Sequence, residues 1–375
     1  MRNILYIGPY YDNNGLGRSA RRYIRCLGSN KNINLACRPI YFVPKNNDHI
    51  IENMDNIDIY ERNMYDSYDC LIQHGYPDMF EYHKGFGKNI GITQIETMNV
   101  GHTGWVEKIN LLDRIIVGSE FSEESLQLSG VNIPISVMPE PYESALYFSE
   151  TKNFFGDYTN TTSPYIFYNI GQYNEKNNIK AILVAFMLEF NQTDTVKLFI
   201  KTDDYNMPQM MLEDKIKDDM QIIQRSLRIS TEDMPEIDIL CGPMKDADII
   251  RLHRSCNCYI DVPKADSSAA CAIEAILANT LVMTHSKGAA NTYIKDINGL
   301  IVDSSASSVY TSEYFNKNSF TIYENWNETI ISSLRANMRI AYDMSIREYT
   351  DKTSRNNLSF FDHVNISERL YEYCF

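Results

Sequence analysis

Apolar positions along the chain fall into short runs separated by Gly, Pro and Asn turns. NILYIG at 3–8 reads as an opening strand. The turn PYYDNNGLG then leads into RSARRYIRCL, where Ala20, Ile24 and Leu27 share one face at helical spacing. Runs at 34–40 (NLACRPI), 69–74 (DCLIQH), 89–94 (NIGITQ), 114–119 (RIIVGS) and 135–139 (ISVMP) read as further strands. Helical patterns lie between the last three, GWVEKINLL and SEESLQLSG, the second opening at Ser122 and stopping at Gly130.

A polar stretch at 148–164 has no periodicity and reads as a linker. Beyond it the alternation is cleaner: YIFYNI, VKLFIKT, IDILCG, NCYIDV and LVMTH as strands, with helical patterns such as NNIKAILVAFMLEF, DADIIRLHRS and AACAIEAILAN between them. Such alternation implies βαβ units and a parallel sheet covered on both faces. The expected architecture is α/β, two Rossmann-like domains facing a cleft, the first at 1–155 and the second at 156–350. In open parallel sheets ligands bind beyond the carboxyl ends of the strands, so the residues directly after each strand are the informative ones.

Composition narrows the function classes. The chain has 375 residues, 44% hydrophobic and 22% charged, as in ordinary soluble domains. No apolar run approaches the ~18 residues of a spanning helix, and the N-terminus does not read as a signal peptide. Thirty-five basic against 49 acidic residues give a net charge of −14, which argues against nucleic acid or an anionic membrane as partner. The eight cysteines show no C-x-x-C spacing and sit in apolar runs, which suggests reduced core residues of a cytoplasmic protein. Cys256 and Cys258 alternate on a strand with no second ligand pair, so no metal site is expected.

The densest chemistry lies in YIDVPKADSSAACAIEAILANTLVMTHSKGAANTYI (259–294). After the strand comes Asp266, then six small residues from Ser267 to Ala272, then Glu274. Small side chains at Ser267, Ser268, Ala269 and Ala270 would let backbone amides approach an anion at the start of a helix. Glu274 can accept hydrogen bonds from a ribose diol, and Asp266 can hold a sugar hydroxyl. The same pattern also describes an Ala-rich buried helix capped by Ser267 or Ser268.

An acidic residue, seven residues and then Glu, after a strand and before an Ala-rich helix, resembles the E-x7-E motif of family 4 retaining glycosyltransferases. ANTLVMTHSKGAANTYI and NGLIVD are similar to the stretches that follow it in that family. Upstream, GQYNEKNNIKAILVAF resembles the family's loop after the first strand of the nucleotide-binding domain, GLGRSARRYI its Gly-rich turn, and DRIIVGSEFSEESLQLSGVNIPISVMPEP a further region. WNETIISSLRANMRIAY (326–342) resembles a late helix, and the segment 351–375 is implied to cross back and pack on the first domain. Asp266 stands where the family has Glu, and Gln172 stands where it has Arg.

The resemblance implies a glycosyltransferase B fold and metal-independent transfer of a hexose-type sugar, with retention, from a nucleotide sugar to a glycan, small-molecule or protein hydroxyl. No cofactor is implied beyond the nucleoside-diphosphate sugar as co-substrate. Lys176, with Lys201 and Lys264, would meet the diphosphate charge, beside Gly171 and the Gly17 amide. Gly17 is also explained as a turn glycine with positive φ. His74, at the end of its strand, and Glu96, after the next, are candidate acceptor-side groups, with His102 and Trp105 near them. A lone His is more often structural, and Trp105 equally fits a core anchor. Two rivals follow: an inactive relative that binds a sugar nucleotide or a partner, motivated by Gln172 and Asp266, and an enzyme acting on modified nucleic-acid bases. The latter needs a basic strip, and Arg18, Arg21, Arg22 and Arg25 are spread by helical spacing over a solvated face.

Overall fold

The structure is a computed structural model that describes residues 1–12, 14–42, 57–148, 153–156, 163–204, 207–295, 299–309, 324–344 and 355–375. They form two compact units. One comprises Met1–Ser144 with Asn356–Phe375 and a short insert, and the other Ala145–Lys317 with Asn325–Arg355. The contacts change hands at Ser144, ahead of the polar stretch 148–164.

The first unit contains β1 (Arg2–Gly8), α1 (Gly15–Gly28), β2 (Ile33–Pro39), α2 (Ile57–Arg62), β3 (Cys70–His74), β4 (Lys88–Thr93), α3 (Trp105–Ile109), β5 (Arg114–Val117), α4 (Glu120–Leu128) and β6 (Ile135–Val137). Its strands pair in parallel in the order β2-β1-β3-β4-β5-β6, so the winding reverses between β1 and β3. β3 is buried at every position, as expected of a central strand covered on both faces. Asn14 caps α1 by accepting the Gly17 amide at 2.9 Å. α4 begins at Glu120, two residues before the expected Ser122: Ser119 caps it, its hydroxyl accepting the Ser122 amide at 3.3 Å.

The second unit contains α5 (Ala145–Phe148), β7 (Tyr165–Gln172), α6 (Ile179–Glu189), β8 (Val196–Asp203), α7 (Gln209–Leu227), β9 (Glu236–Cys241), α8 (Asp246–Ser255), β10 (Cys258–Asp261), α9 (Ala270–Leu277), β11 (Leu281–His285), α10 (Asn291–Ile294), β12 (Leu300–Val302), β13 (Ser304–Ser308), β14 (Asn325–Thr329) and α11 (Ile331–Asp343). Its parallel sheet runs β12-β11-β10-β7-β8-β9 and reverses between β7 and β10. The expected helix over 326–342 starts only at Ile331. Residues 325–329 instead pair antiparallel with β13, which turns a helix-like run into a strand.

The last helix, α12 (His363–Cys374), belongs to the first unit. Its Ile366, Leu370 and Cys374 join the core formed by Ala20, Ile24 and Leu27 of α1, and the Cys26 thiol donates to the His363 carbonyl at 3.1 Å. None of the eight cysteines is in a disulfide, and no helix among the described residues is long and apolar enough to cross a membrane.

Candidate functional site

In the second unit the loops leaving β7 and β10, on either side of the winding reversal, hold most of the sequence-predicted donor residues. The reversal is where doubly wound sheets open a crevice. The structure brings the two loops side by side. The Lys264 amide donates to the Lys176 carbonyl at 2.8 Å. Asn178, in the left-handed region at φ 58°, donates its side-chain amide to the Val262 carbonyl at 3.0 Å and to Thr329 Oγ1 at 2.7 Å. Gly171 lies in β7, where a Cβ would rest at 3.4 Å from the Asn177 side chain, ordinary contact distance.

Asp266 sits where expected, in the turn before α9, but its carboxylate folds back on that turn. Oδ1 accepts the amides of Ser267 at 2.8 Å and Ser268 at 3.4 Å, and Oδ2 accepts that of Ala269 at 2.9 Å. This corrects the expected anion cradle: the amides of Ser267, Ser268 and Ala269 are given to a carboxylate of the same turn. Asp is the side chain short enough for that local bond. Ala269 takes φ 55° and Ala270 opens α9.

Glu274, one turn into α9, is buried. Its Oε2 lies 3.4 Å from His253 Nε2 of α8, an ion-pair distance without hydrogen-bond alignment. Behind it, His253 Nδ1 is 2.7 Å from the Tyr168 hydroxyl. Burial pushes the Tyr168 phenol well above its ordinary pKa, so it keeps its proton. Tyr168, His253 and Glu274 thus form a buried line in which the tyrosine and histidine share a hydrogen bond and the carboxylate lies beside the ring.

Two of the expected cations, Lys201 and Lys264, are paired with carboxylates. Lys201 is buried and pairs with Asp203 at 3.0 Å. Lys264 bridges Glu328 at 2.8 Å and Glu175 at 3.4 Å. Burial works against its charge, but the two carboxylates outweigh that and raise its pKa. Besides His253 and Tyr168, two further strand-end residues escaped the sequence reading. Asp261, the last residue of β10, is held well above the carboxylate range by burial and then by the charge of Asp266, with Thr284 donating to it at 3.3 Å. His285, the last residue of β11, has Nε2 2.9 Å from Thr329 Oγ1. Both end a strand, the signal that already pointed to His74. Among the described residues no group of three His, Cys, Asp or Glu side chains is placed to hold a metal ion.

In the first unit, the Gly17 amide is bonded to Asn14, which corrects its assignment to a phosphate or acceptor contact. Gly17 does not take positive φ. It is required because a Cβ would collide with the Asp12 carbonyl. His74 is fully enclosed, with Nδ1 2.6 Å from the Tyr6 hydroxyl and Tyr6 and Tyr23 edge-on around its ring. Burial lowers its pKa to about 3, so His74 is a neutral core residue and not an acceptor-side base. Glu96 is half-buried in the loop after β4, and His102 is exposed beyond it. Trp105 is half-buried against the core around Ile109 and Leu112 and stacks on Tyr76. The arginines of α1 are not spread over a solvated face. Arg21 is buried against the Tyr10 and Asp12 carbonyls, and Arg22 pairs with Glu140 at 2.7 Å.

No protein-family model matches the sequence, and no curated protein matches it significantly. Solved structures do. HepE of Anabaena in complex with UDP and glucose superposes with a TM-score of 0.62, covering 100% of this chain and 99% of that one at 11% identity. OtsA gives a TM-score of 0.68 over 100% and 99% at 8% identity. The UDP-forming α,α-trehalose-phosphate synthase of Burkholderia xenovorans, solved with glucose-6-phosphate, gives 0.57 over 81% and 72% at 11% identity. The chain has the glycosyltransferase B fold.

Proposed function

We propose that the protein is a cytoplasmic glycosyltransferase that moves a hexose-type sugar from a nucleoside-diphosphate sugar to an acceptor hydroxyl with retention, without a metal. In this reaction the bond from the anomeric carbon to the diphosphate oxygen breaks and a bond to the acceptor oxygen forms. The nucleoside diphosphate leaves, and the acceptor proton goes to it or to solvent. The observation that carries the reading is Glu274, buried beside the winding reversal with its carboxylate 3.4 Å from His253 Nε2. Buried carboxylates are retained where they are hydrogen-bonded or meet a ligand. Glu274 would hold the ribose, Lys176 would face the diphosphate, and Glu96 would orient the acceptor hydroxyl. Uridine diphosphate is the first nucleotide to test, since HepE was solved with it.

A second reading, an inactive sugar-nucleotide-binding relative, is favoured by one set of contacts. Asp266 caps its own turn, and Lys201 and Lys264 are neutralised by Asp203, Glu175 and Glu328. A donor-hydrolysis and transfer assay separates the two. Turnover of a nucleotide sugar that disappears in Glu274→Ala supports the enzyme, whereas equal background rates in both proteins support the binding module.

A further inference from the structure

The first sheet reverses winding between β1 and β3, and there its carboxyl edge is aromatic. Tyr11 after β1 stacks on Tyr41 after β2, with ring centres 6.1 Å apart at 20°. The next residue, Phe42, meets Tyr76 after β3 edge-on at 5.0 Å, and Tyr76 stacks on Trp105 at 6.3 Å and 26°. Tyr41, Phe42 and Tyr76 are each more than one-third exposed. Two ring groups, Tyr11–Tyr41 and Phe42–Tyr76–Trp105, thus meet at the consecutive residues Tyr41 and Phe42 and extend as a band from the end of β2 to the connection leaving β4.

The band is built and held. The Asp12 carboxylate accepts the Phe42 amide at 3.0 Å, joining the loops after β1 and β2. Arg21, buried, donates to the Tyr10 and Asp12 carbonyls at 2.8 and 3.0 Å and so fixes the loop carrying Tyr11. Gly75 leaves room for the Phe42 ring, whose Cζ would stand 2.9 Å from a Cβ there.

We propose that this band is the acceptor subsite and takes a neutral oligosaccharide stacked by its C–H faces. Flat aromatic faces beside phenolic hydroxyls suit a ligand that is apolar on its ring faces and polar at its rim. From β2 to β4 is three strand spacings, roughly 14 Å, so the band is longer than a single sugar ring. Its charge argues against a phosphorylated sugar. Arg21 and Arg22 are engaged as described, Arg38 at the end of β2 donates to the Cys37, Glu61 and Asn63 carbonyls, and the Glu61 carboxylate accepts the Tyr10 hydroxyl at 2.8 Å. The proposal rests on the glycosyltransferase reading for its meaning as an acceptor site, and its binding test stands apart from that reading.

The chain has two tryptophans. Trp326 is buried in the second unit, so sugar-dependent emission changes report on Trp105. The full chain is titrated with maltotriose, cellotriose and chitotriose, with glucose 6-phosphate as the charged comparison and UDP stabilisation measured on the same samples. At least one trisaccharide is expected to give a saturable change. Tyr41→Ala and Tyr76→Ala should each weaken it about tenfold, Tyr41→Phe and Tyr76→Phe should retain it, and UDP binding should be unaffected. No saturable change with any trisaccharide, a change that survives both alanine variants, or tighter binding of glucose 6-phosphate overturns the proposal. If UDP stabilises the chain while no trisaccharide binds, the subsite falls and the donor reading stands. If a trisaccharide binds and no nucleotide does, the saccharide site stands and the donor reading falls.

Discussion

Each half of the molecule contains a buried tyrosine-histidine pair, and the two pairs differ in what faces the second ring nitrogen. In the first unit His74 Nδ1 meets the Tyr6 hydroxyl at 2.6 Å, and Nε2 has no hydrogen-bond partner. In the second, His253 Nδ1 meets Tyr168 at 2.7 Å, and Nε2, likewise without a hydrogen bond, lies 3.4 Å from the Glu274 carboxylate. Both rings have tyrosine neighbours on two sides, Tyr6 and Tyr23 in one case, Tyr168 and Tyr259 in the other. A strand-end position drew attention to His74, yet the histidine connected to a candidate ligand group is the one inside a helix. The third member of the line, not the imidazole, separates a core residue from a positioning residue.

Substitutions can break this contrast. Glu274→Ala should weaken UDP binding by about 10–100-fold, the worth of a charge-assisted hydrogen bond, whereas His74→Phe should leave it unchanged; isothermal titration of both variants checks this. His253→Phe leaves Glu274 and Tyr168 facing an apolar ring and should cost about 1–3 kcal/mol of stability, read by urea denaturation, with a smaller loss of UDP affinity. His74→Phe removes one hydrogen bond only, and should cost about 1 kcal/mol by the same measurement.

Acid sharpens the contrast further. Burial lowers the pKa of His74 to about 3 and that of His285 to about 4. Both stay neutral in the folded chain while the unfolded chain takes up protons below about 6.5. Their contribution is fully present above that pH and is lost as pH falls from about 6.5 through about 4 for His285 and about 3 for His74. The melting temperature should drop across that window, and His74→Phe should flatten the drop.

The parallel strands were legible because continuous apolar runs such as β3 and β7 have few other folds open to them. β14 was not, since residues 325–329 lead into a helical pattern and only pairing with β13 makes them a strand. The position of Asp266 could be read from its place between a strand and a helix. Its direction could not, because backbone amides and a ligand compete for the same carboxylate and the choice is made by a turn geometry. His253 occupies an ordinary inward position of α8, and its value depends on Glu274 arriving from another helix. The aromatic residues each follow a strand in sequence, but their joining into one band depends on strand order.

The central claim is that Glu274 and its loops hold a nucleotide sugar. Thermal unfolding of the full chain with UDP-glucose and other nucleotide sugars, beside Glu274→Ala, tests it most directly. One donor at ~100 times its dissociation constant should stabilise the native protein by about 2.7 kcal/mol, and Glu274→Ala should lose most of that. Absence of stabilisation by every nucleotide sugar, or equal stabilisation of Glu274→Ala, would contradict the account.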